Sequence, residues 1–252
     1  SKWGNFASHM LKLGEKTAAL HADEVIVLSH NMQDYFQETY GRKTRFIPNG
    51  INRPILKGDS EIKAKYGLEK DGYILFLARI VPEKGLHYLL HAFEQIETDK
   101  KLVIAGGSSH SQEYVQEMVD LAAKDSRAIM TGFVQGEVLE ELYSNAYCFV
   151  LPSDIEGMAL GLLEAMSYGN CCIASNIPEN TEVAEDHALY FEKGNERDLQ
   201  KRLEEVLAHP EQTQKAHQEN ADFICGKYNW DRVTEQTLHL YQHVLKAREN
   251  QK

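Results

Sequence analysis

An open parallel α/β sheet with helices on both faces is the fold class that this sequence predicts. Three observations point to it. Short apolar runs recur along the chain, among them YILFLA (73–78), KLVIAG (101–106) and CFVLPS (148–153). These runs lack the alternation of apolar and polar residues that a half-exposed strand shows, as expected of strands buried on both sides. Between them lie segments with apolar residues three and four apart, such as LHYLLHAFEQI (86–96) and SQEYVQEMVDLAAK (111–124), which read as helices packed over the sheet.

Taken in order, the chain opens inside a helical pattern, with Trp3, Phe6, Met10, Leu13 and Thr17 on one face. EVIVLS (24–29) reads as a buried strand and TRFIPNG (44–50) as a second, closed by Pro48 and an Asn-Gly turn. YILFLA is a third strand and LHYLLHAFEQI the helix after it. KLVIAG, the helix at 111–124, AIMTGF (128–133), the helix EVLEELYSNA (137–146), CFVLPS, CCIAS (171–175) and ALYFE (188–192) continue the alternation, and helices dominate from Glu196 to Arg248. The unit is a Rossmann-like domain over 61–225. Residues 48–60 are turn-rich and read as a linker. Residues 1–47 are too few to build their own core, so the sequence reads as a piece of a longer protein, with 226–252 a closing helix.

Composition excludes several classes. With 42% hydrophobic and 26% charged residues, the chain is neither disordered nor a membrane bundle. No apolar run approaches the ~18 residues that span a bilayer, and the amphipathic start is not a signal peptide. A net charge of -11 argues against a general nucleic-acid binder. Cys148, Cys171, Cys172 and Cys225 have no metal or framework spacing and mostly lie in apolar runs, as expected in a reducing cytoplasm. There is no Asp-x-Asp pair, no P-loop and no Gly-x-Ser-x-Gly elbow. His87 and His91 share a helix face but lack a third ligand, so they read as a solvated or core-edge pair rather than a zinc site.

Ligands of open α/β sheets bind beyond the carboxyl ends of the strands, and three such ends carry informative residues. Arg79 directly follows YILFLA, and Lys84 precedes the next helix. A helix start attracts anions, and an arginine fork beside a lysine suits a diphosphate. The alternative is an Arg79 paired with a structural carboxylate and a solvated Lys84. At TGFV (131–134) a glycine after the strand lets backbone approach a flat ring, or simply turns the chain. The third end opens SDIEGMALGLLEAMSYGNCCIAS (153–175), with Glu156 in the loop and Glu164 in the first turns of a helix beginning near Leu160. Buried acids are rare unless paired. Glu164 can accept hydrogen bonds from two vicinal hydroxyls, as acids do on a ribose, helped by the helix dipole; alternatively it caps or pairs within the domain. N–H groups around Gly157, Met158, Ala159 and Leu160 are expected to face further hydroxyls or a phosphate.

With these residues in place, the chain resembles the C-terminal half of bacterial glycosyltransferases of family 4, which have the two-domain GT-B fold. The segments that carry the likeness are ADEVIVLS, FIPNGI, LFLARIVPEKGLHYLLHAF, LVIAGG, TGFVQGEVLEELYSNAYCFVLPS, EGMALGLLEAM and CCIASNIPENTEV, over roughly residues 22–195. The Glu-x7-Glu spacing with Arg and Lys upstream is specific as an ordered set. The tail YNWDRVTEQTLHLYQHVL is similar to the family's last helix, which crosses back to the other domain, and KWGNFASHMLKLGEK resembles enzymes of envelope and extracellular polysaccharide synthesis. The resemblance implies that Arg79 and Lys84 neutralise the donor's diphosphate, that Glu156 holds donor-sugar hydroxyls, that Glu164 takes the ribose hydroxyls, and that backbone near Phe133 and Val134 meets the base. It implies a nucleoside-diphosphate sugar as donor substrate, retention of configuration, no metal, and a cytoplasmic enzyme, peripheral at the inner membrane face in its full length. Residues 1–47 would be the end of the acceptor domain. The chain alone would bind nucleotide weakly, transfer little sugar, and self-associate through the apolar face at Trp3, Phe6, Met10 and Leu13.

Departures from the family pattern are Ala78-Arg79 where Gly-Arg is common, and Glu156-Gly157-Met158-Ala159-Leu160 where Glu-Gly-Phe-Gly-Leu is common. Ala159 would be strained if its position needs positive φ. Two rival readings stand: a nucleotide-sugar epimerase of the same fold, and a non-catalytic nucleotide-sugar-binding module, against which the joint presence of Arg79, Lys84, Glu156 and Glu164 argues. Base, sugar, acceptor, linkage and oligomeric state stay open.

Overall fold

The computed structural model of the chain describes residues 5–107 and 111–250. Its elements run α1 (Asn5–His21), β1 (Ile26–Val27), α2 (His30–Tyr40), β2 (Arg45–Phe46), α3 (Ser60–Tyr66), β3 (Tyr73–Leu77), a 3-10 turn (Pro82–Lys84), α4 (Leu86–Glu94), β4 (Lys101–Ala105), α5 (Gln112–Ala122), β5 (Ala128–Gly132), α6 (Glu137–Asn145), β6 (Cys148–Leu151), α7 (Leu160–Ser167), β7 (Cys172–Ser175), α8 (Pro178–Ala184), β8 (Leu189–Phe191), α9 (Glu196–Ala208), α10 (Pro210–Lys227) and α11 (Trp230–Glu249). They form two compact units, one of residues 51–227 and one of residues 1–50 with 228–252.

The larger unit holds a six-stranded sheet in the order β5-β4-β3-β6-β7-β8, every neighbouring pair parallel. The central strands are buried almost end to end, whereas edge strand β5 is half-exposed. That gradient explains why the central runs read as continuous apolar segments. Residues two apart share a face: Ile74 and Phe76 of β3, Leu102 and Ile104 of β4, and Cys148 and Val150 of β6 build one core with Leu89 and Phe93 of α4 and Leu199 and Leu203 of α9. On the opposite face, Phe149 lies 6.0 Å from the Tyr143 ring of α6. Cys148, Cys171 and Cys172 are buried free thiols, and burial holds each thiol well above its ordinary pKa. They act as small core hydrophobes.

The strand order places a switch point at the centre of the sheet. From β3 the chain moves outward through β4 and β5, then returns to lay β6 on the other side of β3. The connections after β3 and β6 therefore diverge over a crevice at the carboxyl ends of these two strands, the position at which doubly wound sheets bind ligands.

Three helices were not anticipated. α3 lies just past the segment read as a linker, and the chain from Ile51 onward belongs to the larger unit. Lys57 N–H donates to Ser144 Oγ (3.0 Å), and Asn145 Nδ2 donates to Gly58 O (2.7 Å). No local side chain caps α3; Glu141 of α6 does so from 80 residues away, accepting from Glu61 N–H at 2.8 Å and Ile62 N–H at 3.0 Å. A cap supplied over that distance leaves no local start signal. α2 is polar but has both local signals, Ser29 Oγ accepting from Met32 N–H and Gly41 ending the helix at φ 62°. α8 starts with Pro178 at its first turn.

In the smaller unit, β1 and β2 are two-residue strands paired in parallel, shorter than the runs 24–29 and 44–50 suggested. Ala19, Val27 and Phe36 form its core. Glu15 Oε1 accepts from Tyr35 Oη (2.6 Å) and Tyr40 Oη (2.5 Å), tying α1 to α2. α11 belongs to this unit, and Arg248 pairs with Asp23 at 2.6 Å. On α1, Met10 and Leu13 are 54% and 47% exposed; the side chains of Trp3 and Phe6, assigned to the same face, lie outside the described residues. Among the described residues, no helix is long and apolar enough to cross a membrane.

Candidate active site

The segment after β3 reaches the rim with Arg79, and its course is set by backbone. Ile80 N–H bonds Gly107 O (3.2 Å), and Gly85 closes the 3-10 turn at φ 66°. A Cβ at Gly85 would stand 2.0 Å from Pro152 O, so only glycine lets the loops after β3 and β6 touch here. Glycine is likewise needed at Gly106, after β4, where a Cβ would stand 1.9 Å from Ala78 O after β3. Asp154 N–H donates to Glu83 O at 2.9 Å, a second stitch between the two loops. Beneath them Ser175 Oγ donates to Ser153 O (2.5 Å), and Asn180 Nδ2 bonds both Ser175 O and Oγ at 3.0 Å.

These loops bring Lys84 and Glu156 together. Lys84 Nζ stands 2.5 Å from Glu156 Oε1, with side chains only 17% and 7% exposed. Ser153 Oγ donates to the same oxygen at 2.7 Å. Among the described residues, Oε2 of Glu156 has no protein partner, so one acceptor of a nearly buried carboxylate is unspent. Lys84 is thus neither solvated nor independent of Glu156. Two residues that sequence reasoning assigned to separate parts of a ligand form one charged pair. Arg79 is exposed and makes no ion pair among the described residues; the alternative of a structural carboxylate partner does not hold for it.

Glu164 sits in the second turn of α7, a helix with no acid in its first turn. The helix dipole, whose effect fades within that turn, is therefore not what supports it. Its Oε2 accepts from Tyr143 Oη at 2.9 Å. Burial first, and then the carboxylate, raise the Tyr143 hydroxyl well above its usual pKa, so it stays a donor. No other side chain or backbone donor reaches the Glu164 carboxylate among the described residues. α7 lies close over the end of β3: a Cβ at Gly161 would be 3.5 Å from Leu77 O.

The connecting segment differs from expectation in two details. Leu160 N–H donates to Met158 O at 2.8 Å, so it does not face a ligand. Ala159 has φ -74°, hence no strain follows from alanine here, and with Met158 it is buried while Gly157 and Leu160 are exposed. Phe133 and Val134 follow β5 at the edge of the sheet. Gly132 O accepts from Gly106 N–H at 2.8 Å, and the Phe133 ring is 78% exposed. β5 is two strands from β3, about 10 Å at the usual strand spacing.

The structure thus gathers Arg79, Lys84, Glu156 and Glu164 at the two ends that flank the switch point, with Phe133 and Val134 on the β5 side. Sequence reasoning missed Tyr143 and Ser153, the side chains that hold the two acids; both lay in quoted motifs, as the Tyr of ELYSNA and the Ser of LPS. His87 and His91 go separate ways, to Tyr114 Oη and Glu196 Oε1, both at 2.8 Å. Among the described residues no three His, Cys, Asp or Glu side chains are grouped to hold a metal ion.

Cations and half-satisfied carboxylates thus lie together at the switch point, where doubly wound sheets bind ligands. Comparison with known proteins supplies the family: residues 58–222 match Glycosyl transferases group 1, and the chain belongs to that family. It is similar to the alpha-maltose-1-phosphate synthase of Mycolicibacterium smegmatis, 26% identical over 253 residues, covering 91% of this chain and 65% of that protein. It is also similar to the O-antigen chain mannosyltransferase B of Escherichia coli, 26% identical over 182 residues, covering 71% of this chain and 48% of that protein. The crystal structure of Anabaena HepE in complex with UDP and glucose superposes with a TM-score of 0.83 at 20% identity, covering 92% of this chain and 66% of that one. The sheet and its two helix layers are those of the C-terminal domain of a GT-B glycosyltransferase. The chain spans about two thirds or less of the length of these relatives.

Proposed function

We propose that this chain is the donor-binding half of a retaining glycosyltransferase that moves a sugar from a nucleoside-diphosphate sugar to an acceptor in envelope or polysaccharide synthesis. The observation that carries this reading is the pair of half-satisfied carboxylates, Glu156 and Glu164, each held by the protein on one oxygen. A carboxylate oxygen without a protein donor is suited to a ligand hydroxyl, and a sugar nucleotide offers hydroxyls at two places, the transferred sugar and the ribose. Glu156 takes the first and Glu164 the second. Arg79, exposed at the rim, and Lys84 face the diphosphate, where negative charge grows as the bond from the anomeric carbon to the phosphate oxygen breaks; cations fixed there favour departure. The acceptor hydroxyl oxygen then bonds the anomeric carbon on the face the diphosphate left, its proton passing to the departing diphosphate oxygen, without a metal.

The likeness to an O-antigen mannosyltransferase supports the envelope role, and the buried free thiols suit a cytoplasmic enzyme, peripheral at the inner membrane face. In this reading the chain by itself binds nucleotide weakly, transfers little sugar and self-associates. Calorimetric titration with UDP, GDP, ADP and dTDP, with and without magnesium, tests the reading. Magnesium-independent binding of one of them, weakened at least about tenfold in Arg79→Ala as expected for a lost charge-assisted contact, supports it. Equal affinity of the variant removes Arg79 from the site.

A further inference from the structure

The hydroxyl beneath Glu164 has a role that the ligand assignments leave unexplained. Tyr143 is 2% exposed. Its ring is stacked on Tyr168 (centroids 5.2 Å apart, planes 19° apart) and tilted against Phe149. Its backbone oxygen accepts from Asn170 Nδ2 at 2.9 Å. A tyrosine gripped on its ring faces and backbone has one free direction, and there its hydroxyl meets Glu164 Oε2 at 2.9 Å. A phenylalanine would fill the same ring space, so packing alone does not call for the hydroxyl.

A glutamate side chain has several rotatable bonds, and immobilising such a chain on binding costs about 0.5–1.5 kcal/mol. A fixed donor on Oε2 removes that freedom in advance and presents Oε1. A single carboxylate oxygen can accept from two vicinal hydroxyls, whereas a sugar lacking one of them leaves the acceptor partly unsatisfied. Sites built to bond a hydroxyl reject analogues that lack it, because a buried polar group is then left unpaired.

We infer that Tyr143 is a positioning residue that holds Glu164 for a vicinal diol, and so makes the site selective for ribonucleoside over 2′-deoxyribonucleoside diphosphates. This rests on the donor-binding reading above. It goes further by naming a residue that does not touch the ligand and by ranking sugar classes within the nucleotides.

The experiment is a cycle of titrations on the chain as it stands, using the best-binding of UDP, GDP and ADP and its 2′-deoxy analogue, against wild type, Tyr143→Phe, Glu164→Ala and the double variant. In wild type the ribonucleotide binds about tenfold or more tighter, the value of a hydrogen bond to a charged group. In Tyr143→Phe the preference shrinks to a few-fold, mostly through weaker ribonucleotide binding, and in Glu164→Ala the added Tyr143→Phe change has no further effect. Undiminished preference in Tyr143→Phe overturns the inference, as does an equal loss for both ligands, which is the mark of a purely structural tyrosine. A variant too unstable to titrate is replaced by Tyr143→His or Tyr143→Trp, ring-bearing donors; restored preference with either supports the role, and absent preference in both overturns it. If wild type binds no nucleoside diphosphate, the donor-binding reading falls and this one with it; if it binds both sugars equally, only the selectivity falls.

Discussion

Glu141 on α6 and Glu164 on α7 are both carboxylates set among apolar neighbours, and the structure equips them for different ends. Glu141 is 1% exposed. Its Oε1 accepts from Ser60 Oγ (3.1 Å), and its Oε2 from the N–H groups of Glu61 and Ile62. Both oxygens are spent on starting another helix. Glu164 is only half-buried and has one donor, on one oxygen. Burial of an acid thus does not by itself mark a binding site. The distinguishing features are an acceptor that the protein leaves unspent and a position at the strand ends flanking the switch point.

The largest effect that tests this contrast is on stability. Glu141→Ala strands two backbone donors and a hydroxyl at the start of α3 and should cost about 2–4 kcal/mol, measured by urea unfolding, with nucleotide affinity unchanged where the variant is folded. A fall in affinity equal to that of Glu164→Ala would erase the distinction. Glu164→Ala strands only the Tyr143 hydroxyl, so its unfolding free energy should fall less than that of Glu141→Ala, by about 1–2 kcal/mol, while nucleotide affinity drops by about 1.5–3 kcal/mol, or ten- to a hundredfold. Unchanged affinity there would make Glu164 another structural acid.

Glu156→Gln lies between the two. The amide oxygen still accepts from Ser153, but Lys84 loses its counter-charge in a site with little solvent. Stability should fall by about 1–2 kcal/mol. Affinity for the nucleoside diphosphate should stay within about threefold (~0.7 kcal/mol), while affinity for the corresponding sugar nucleotide drops. Equal losses for both ligands would show that Glu156 acts through Lys84 at the phosphates instead of on the sugar.

The smallest effect concerns two histidines, His87, which is half-buried, and His217, which is exposed on its helix. Burial is the leading influence on His87 and His217 and lowers both below the ordinary imidazole value. For His87, Asp154, Glu196 and Glu117 oppose the shift and His91 adds to it; for His217, Asp71 opposes it and Lys70 adds to it. Because the folded chain disfavours the charged form, this stabilisation is complete above the unfolded value near ~6.5 and is lost as pH falls through the folded values. The melting temperature should be lower at pH 5.5 than at 7.5, with a smaller difference in His87→Asn. A pH-independent melting temperature would show that these rings are solvated when charged.

Legibility in the sequence followed how local the cause was. The central strands could be read because both faces are buried and the apolar run is continuous; β1 and β2 were overextended because a run of apolar residues does not say how many of them find a partner strand. Arg79, Lys84, Glu156 and Glu164 could be picked out because charged residues at the ends of apolar runs are chemically conspicuous. Tyr143 and Ser153 could not, since a tyrosine in a helix and a serine after a strand are ordinary until the carboxylate each one bonds is seen. α3 was missed for the same reason: its cap comes from Glu141.

The amino-acid order by itself determined an α/β domain, the strand ends worth inspecting and the four charged residues there, because burial periodicity and side-chain chemistry are properties of short segments. Only the tertiary structure decided that β6 returns beside β3 to create the switch point, that Lys84 and Glu156 form one pair rather than two independent contacts, and that a carboxylate on α7 has a spare oxygen while one on α6 has none. Those outcomes depend on groups up to 80 residues apart meeting within a hydrogen-bond length, which the fold of the whole sheet brings about and no local pattern encodes.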